Sequence, residues 1–285
     1  ALGRGLRRPV VVELRDAWPD ILASAADWGS SPGRAGSRWS RVRRAALSGV
    51  RDAIPPVVTR LEREAAAIVT TTDSFARVLR GRGMGRVVTV RNTAVPRDWA
   101  LPAVPREQPD EALHVLYLGT VGRAQGLRSA VRAAALARAQ GTRMVLRIVG
   151  EGADLAPTRH EAEELGAPVE ILPMVPADRV AAHYAWADSV LVSLQDWPSM
   201  ELTVPSKLYE VMATGRHVSL AAAGAAGRIV KASRSGDVVP PQDPAALARL
   251  WQELAADRDR LVVTGGGPWL EAHASCSALL DRYEA

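Results

Sequence analysis

Leu116-Tyr117-Leu118-Gly119-Thr120-Val121-Gly122-Arg123-Ala124-Gln125-Gly126-Leu127 runs an apolar strand into a glycine loop and then into a helix. The same unit repeats downstream with different residues. His114–Leu118 reads as a strand and Leu127–Gln140 as a helix ended by Gly141. Met144–Val149 is a strand, and Pro157–Leu165 a helix ended by Gly166. Val169–Leu172, Ser189–Leu194, His217–Ala221 and Gly236–Val239 are further apolar runs of strand length. Helices are predicted at Ala177–Trp186, Ser206–Thr214, Pro244–Ala255 and Trp269–Tyr283. Glycine just past a helix end supplies the left-handed stop. Short apolar runs alternating with helices predict a parallel, doubly wound α/β sheet. Upstream the alternation is thinner. Val10–Leu14, Ala67–Thr71 and Arg86–Arg91 read as strands, and Ser37–Leu47, Pro56–Ala67 and Ser74–Arg80 as helices. Pro96–Pro109 carries four prolines and reads as a linker.

Composition bounds the function class. The chain has 285 residues, of which 47% are hydrophobic and 24% charged. That is a soluble, globular balance with room for about two domains, and it excludes disorder as the main state. Cys276 is the only cysteine, so an intrachain disulfide scaffold is excluded and a reducing, cytoplasmic setting is expected. No apolar run approaches the ~20 residues that span a bilayer. Residues 1–12 hold arginines but only a short valine run, unlike a signal peptide. Charge is uneven: residues 1–110 hold 19 Lys+Arg against 11 Asp+Glu, and residues 111–285 hold 17 against 20. A basic first part can face phosphates, nucleic acid or an anionic membrane.

The chemistry concentrates in Thr203-Val204-Pro205-Ser206-Lys207-Leu208-Tyr209-Glu210. Pro205 suits the first turn of a helix. The helix start then presents free backbone N–H groups, the Ser206 hydroxyl and the Lys207 ammonium at one point, which is an anion site. Glu210 shares the face of Ser206 and Lys207 and can accept hydrogen bonds from ribose hydroxyls. The plainer alternative is a surface helix with a Lys–Glu pair. The spacing of Gly119, Gly122 and Gly126 matches neither the dinucleotide fingerprint nor a P-loop.

Taken in order, five segments resemble the donor-binding half of family 4 glycosyltransferases of the GT-B fold. They are the Gly119 loop; Ile148-Val149-Gly150-Glu151-Gly152; Leu172–Pro176 followed by Tyr184–Asp188; Pro205–Glu210; and Gly236–Leu247. The resemblance covers residues 111–285. In the first part, Val12–Pro19 resembles the Arg-Asp-x-Trp-Pro segment of the subgroup that builds bacterial surface polysaccharides. Asn92 resembles the Pro-Asn-Gly entry to the family's linker, here Arg-Asn-Thr.

The resemblance implies a GT-B-like α/β protein with two Rossmann-type domains. Its expected parts are an incomplete N-terminal domain with linker over 1–107, a donor domain over 108–268, and a helix over 269–285 that crosses back. It implies retaining transfer from a UDP- or GDP-sugar, without a metal, to an envelope polysaccharide or lipid-linked acceptor. Carried over residue by residue, Ser206 and Lys207 hold the phosphates and Glu210 the ribose. Gly119, Gly122 and Arg123 approach the diphosphate. Gly150, Glu151, Gly152, Met174 and Val175 line the nucleotide. Arg15 and Asp16 face the transferred sugar or acceptor; a local ion pair is the alternative. Lys207, Glu210, Arg15 and Asp16 form the expected catalytic set. The usual pair of glutamates separated by seven residues is absent: eight before Glu210 stands Leu202, with Glu201 one step off. The loop read at Ala223–Arg228 lacks an acidic residue. Strands that normally precede the Arg-Asp-x-Trp-Pro segment have no counterpart, so the chain is expected to be truncated or to be half of a two-chain enzyme.

Other signals are weaker. Gly33–Arg44 is basic with one tryptophan, which suits either a solvated helix or an anionic membrane surface at the inner face of the plasma membrane. Nucleic acid rests on charge alone and is not expected as a partner. Five histidines lie at no metal-ligand spacing, no nucleophile elbow appears, and Cys276 reads as a packing residue. Trp18, Trp28, Trp39 and Trp99 read as core or interdomain packing. The rival functions are a non-catalytic nucleotide-sugar-binding chain or subunit and, less well supported, an epimerase of similar fold.

Overall fold

A computed structural model describes residues 8–17, 19–20, 55–93, 101 and 112–284. The expected helix at Ser37–Leu47, the basic Gly33–Arg44 segment, most of the proline-rich linker and Trp18, Trp28, Trp39 and Trp99 lie outside them. The chain divides into two compact units. The first comprises Ala1–Arg91, Trp197–Thr203 and Leu279–Ala285; the second comprises Asn92–Asp196 and Val204–Ala278.

The first unit holds a parallel sheet of β1 (Val11–Leu14), β2 (Ala67–Thr70) and β3 (Val87–Thr89), in that order. Register runs Val11↔Ala67 and Ile68↔Val87. Residues 55–63 are helical. Helix α1 (Asp73–Gly81) starts at Thr72, whose hydroxyl accepts from the Phe75 N–H, with Asp73 in the first turn. Both features satisfy or complement a helix N-terminus. Phe75, Ala76 and Leu79 bury the inner face of α1 against Ile68, Met84 and Val87. The Thr72 hydroxyl also donates to the Leu202 carbonyl at 2.7 Å, which ties the short Pro198–Leu202 turn of helix to this unit. The apolar run Val10–Leu14 would suit a buried strand, but β1 is not one: Val11 is half exposed.

The second unit holds β4 (Leu113–Leu118), β5 (Met144–Val149), β6 (Val169–Leu172), β7 (Ser189–Ser193), β8 (His217–Ala221) and β9 (Gly236–Val239). Their order is β6-β5-β4-β7-β8-β9, all parallel. The chain starts in the middle, winds outward to β6, then returns beside β4 and winds the other way. That is the doubly wound order, whose reversal between the first and fourth strands opens a crevice at their carboxyl ends. Helices α2 (Leu127–Ala139) and α7 (Pro244–Ala256) lie within one core with β4 and β5, through Ala130, Ala133, Ala134 and Ala137 and the larger Leu247, Trp251 and Leu254. Small residues on α2 let the bulky face of α7 approach. Between these come α3 (Leu155–Glu164), α4 (Val180–Trp186), α5 (Ser206–Thr214) and α6 (Gly224–Ser233). Helices α8 (Gly266–Ala274) and α9 (Cys276–Glu284) follow.

Three expectations are corrected. Ala223–Arg228 is not a loop: it enters α6, where Gly227 leaves room for Val238, 3.4 Å from where a methyl would stand. The last helix is two helices, broken at Ser275, whose hydroxyl accepts from the Ala278 N–H at 3.3 Å. Cys276 is exposed rather than packed.

β7 and β8 are buried along their whole length, so their polar residues must bond one another. Ser189 Oγ lies 2.9 Å from His217 Nδ1 and 2.7 Å from Ser219 Oγ, and Trp251 Nε1 donates to Ser219 Oγ. His217 Nε2 lies 3.2 Å from Asp237 Oδ2, which also accepts from Arg260 at 2.9 Å. Serine, histidine and aspartate thus meet, although the sequence shows no such set. Ser189 and His217 are sealed from solvent and stand at the amino ends of their strands, so the set holds the sheet together and meets no reactant. The His217 hydrogen bond, with Arg260 beyond it, keeps Asp237 below the ordinary carboxylate value of 3.8. A depressed folded pKa contributes stability above the unfolded value and loses it as pH falls through the folded one. Asp237→Asn is therefore expected to cost about 1 kcal/mol near neutral pH, discounted because the carboxylate is partly solvated. The cost should shrink as pH falls below the ordinary carboxylate range and the folded-state carboxylate takes up its proton; urea midpoints between pH 2.5 and 7 check it.

Candidate functional site

The site forms where the loops after β4 and β5 meet the start of α5. Gly119 N–H donates to the Val149 carbonyl at 3.0 Å, and Val121 N–H to the Glu151 carbonyl at 2.8 Å. The two glycine loops are thereby stitched edge to edge. A methyl on Gly150 would stand 1.8 Å from the Gly119 carbonyl oxygen, and one on Gly152 would stand 2.3 Å from that of Val121. Both positions need glycine because backbone approaches backbone there. The Tyr117 hydroxyl donates to the Thr120 carbonyl at 2.6 Å, and burial raises that phenol well above its ordinary range. The Gln125 side chain accepts from the Gly122 N–H at 3.1 Å. Past β7, Gln195 N–H donates to the Ala124 carbonyl at 2.8 Å, which fixes the loop from the far side of the strand reversal.

Helix α5 begins at Ser206, with Pro205 just outside it rather than in its first turn, and ends at Gly215 in the left-handed conformation. No side chain caps its start, while the Leu208 N–H turns back to the Pro205 carbonyl at 3.0 Å. The leading amides therefore carry the positive end of the helix dipole outward. Lys207 stands there: a methyl on Gly119 would lie 3.8 Å from its Cε. Its ammonium donates to Glu210 Oε1 at 3.1 Å, and both side chains are about one quarter exposed. The fully buried Tyr184 donates its hydroxyl to the same Oε1 at 2.8 Å. The Tyr184–Asp188 motif by itself assigns Tyr184 no part in the site. Nothing in the spacing reveals a contact between residues 26 apart on different helices.

The structure brings Gly119, Gly150, Lys207 and Glu210 together, with Gly122 and Gly152 in the same stitched loops and Ser206 exposed at the helix start. Arg123 is exposed, and its charge reaches Asp154. Burial pushes the Asp154 carboxyl up, while Arg128 and Arg123 draw it back. Glu151 and Met174 are exposed and Val175 is half-buried. Arg15 and Asp16 lie beyond β1 in the first unit, both exposed. Arg15 is 3.6 Å from Glu13, and its carbonyl accepts from Thr71 at 3.2 Å. Glu201 belongs to the first unit, Glu210 to the second. Among the described residues no group of three or more His, Cys, Asp or Glu is placed to hold a metal ion.

Residues 112–257, just over half the chain, match the family model described as Glycosyl transferases group 1. No curated protein matches the sequence. Among solved structures, sucrose-phosphate synthase from Thermosynechococcus elongatus is similar at TM-score 0.69 and 20% identity, over 99% of this chain and 69% of that one. Anabaena HepE, solved with UDP and glucose, is similar at 0.67 and 15%, over 99% and 72%. The pneumococcal O-GlcNAc transferase GtfA, solved with UDP and GlcNAc, is similar at 0.62 and 13%, over 78% of this chain but 44% of that one. At these identities the likeness is one of fold. The expected GT-B-like α/β class is borne out.

Proposed function

The chain belongs to the group 1 glycosyl transferases, and from that premise we propose that it moves a sugar from a nucleoside-diphosphate donor, UDP- or GDP-linked, with retention of anomeric configuration. The acceptor we propose is an envelope polysaccharide or a lipid-linked saccharide, as in the surface-polysaccharide subgroup of family 4. The observation that carries the reading is Lys207, held at the uncapped start of α5 against Gly119 with Glu210 beside it. Departure of the sugar leaves a diphosphate whose charge must be met where it grows. A lysine and a row of backbone amides aimed at one point do this without rearrangement. Lys207, Ser206 and the α5 amides take the diphosphate, with Gly119, Gly122 and Arg123 along its other side. Glu210 takes the ribose hydroxyls. Gly150, Glu151, Gly152, Met174 and Val175 line the nucleoside, and Arg15 and Asp16 serve the sugar or acceptor. The chemistry needs no metal in this scheme.

Among the described residues no helix is long and apolar enough to cross a membrane; we place the enzyme in the cytoplasm, working at the inner face of the plasma membrane. Two experiments test the reading. Glu210→Ala is expected to weaken nucleotide binding by about 1–3 kcal/mol, the worth of hydrogen bonds to a charged group, in a calorimetric titration. Proton NMR of the glycosylated product should show the anomeric configuration of the donor; an inverted product would refute the retaining mechanism.

A further inference from the structure

We propose that Tyr184 is a positioning residue that sets how Glu210 meets the ribose, an assignment that rests on the donor-site reading above. Glu210 Oε1 is occupied twice, by the Tyr184 hydroxyl at 2.8 Å and by the Lys207 ammonium at 3.1 Å. Both hydrogen bonds to Glu210 among the described residues fall on Oε1 and none on Oε2. The carboxylate is thus pinned through one oxygen, leaving the other to receive hydroxyl donors. The two donors differ in kind. Lys207 lies on α5 itself, on a long flexible stem, and faces the anion site. Tyr184 comes from α4, and its ring is fully buried.

The anchor behind Tyr184 is also fixed. The buried guanidinium of Arg216, just past the end of α5, donates to the Tyr184 carbonyl at 2.9 Å and to the Ala185 carbonyl at 3.4 Å. These are carbonyls of the last turn of α4, and that of Tyr184 also accepts from the Ala187 N–H at 3.2 Å. Arg216 thereby locks the end of α4 to the end of α5, while the Tyr184 hydroxyl bonds Glu210 within α5. Without that hydroxyl, Lys207 is the one partner left to Oε1 among the described residues, and a diphosphate that draws Lys207 forward would carry the carboxylate with it. With it, Glu210 keeps its place while Lys207 engages phosphate. The role is division of labour between two cation-proximal groups, and it predicts a defect confined to ribose recognition.

The test is titration of the whole chain, wild type and Tyr184→Phe, with UDP and GDP and with their 2′,3′-dideoxy forms, beside Glu210→Ala. Phenylalanine keeps the buried ring, so binding of the dideoxy nucleotide also reports an intact site. Tyr184→Phe is expected to weaken the ribonucleotide roughly 3–10-fold, as one hydrogen bond is lost, and to leave the dideoxy form within about twofold. Glu210→Ala should remove the preference for the ribonucleotide altogether. If Glu210→Ala removes the preference and Tyr184→Phe retains it in full, the positioning role is refuted while the donor-site reading stands. Equal weakening of both nucleotide forms by Tyr184→Phe likewise refutes positioning in favour of a purely structural contact. If Glu210→Ala keeps the preference, or the folded wild type binds none of the four, the donor-site reading fails and this inference with it.

Discussion

Lys207→Ala is expected to lower kcat/KM for sugar transfer about 10²–10³-fold, the usual cost of removing one preorganised group that meets transition-state charge. Two effects add. The ammonium proposed to meet the diphosphate is lost, and the Glu210 carboxylate loses one of its two donors on Oε1. A carboxylate less well compensated then faces an anionic ligand. The substitution should act on binding of the nucleoside diphosphate as well as on turnover, because ground state and transition state both carry that charge. It should act less on the nucleoside, which has no phosphate to offer Lys207. Steady-state kinetics with a titration of nucleoside against nucleoside diphosphate checks both. Equal weakening of nucleoside and diphosphate would place Lys207 away from the phosphates.

Gly150→Ala is expected to destabilise the chain by about 3 kcal/mol, the upper part of the range for overpacking, and to lower the melting temperature by roughly 6–12 °C. A methyl there would stand 1.8 Å from the Gly119 carbonyl oxygen, a backbone atom with no rotamer to move. Relief requires the β4–α2 loop to shift, and that loop carries Gly119 against Lys207. The substitution should therefore damage the anion site along with the fold. Gly85→Ala is the comparison: nothing lies within 4 Å of a methyl there, and its effect should stay within about 0.5 kcal/mol. Thermal unfolding of the two variants beside wild type measures the difference. A Gly150→Ala variant as stable as wild type would show that the two glycine loops are not packed as described.

The sheet of the second unit was legible because each strand is a short apolar run closed by glycine or a polar turn. Met144–Val149, Val169–Leu172, His217–Ala221 and Gly236–Val239 fall where sequence reading puts them, as does α5. α6 was not legible. Two glycines and a run of alanines look like a loop, yet Gly227 serves close packing beside Val238, and tertiary contact overrides the low helix propensity of glycine. The break at Ser275 had a visible signal, a serine able to cap α9, but the alanines and leucines on either side favour helix and mask it. Trp197–Thr203 belongs to the first unit, where Leu202 packs on its core and accepts from Thr72, and no local pattern encodes those long-range contacts.

The site shows the same division. Lys207 and Glu210 announce themselves by helical spacing and by the proline before them. Gly119, Gly150 and Gly152 announce themselves as glycines at strand ends, though the reason for two of them is contact between loops rather than with a ligand. Tyr184 stays hidden because its meaning lies in where α4 meets α5. The buried Ser189–His217–Asp237 set, spread over three strands, stays hidden for the same reason.

The central claim is that the start of α5 and the glycine loops form a nucleoside-diphosphate site. The most direct test is calorimetric titration of the whole chain with UDP and with GDP, beside Lys207→Ala. One of the two should bind at one site per chain, and Lys207→Ala should lose most of that affinity while staying folded. A folded wild-type chain that binds neither, or a Lys207→Ala chain that binds as well as wild type, would contradict it.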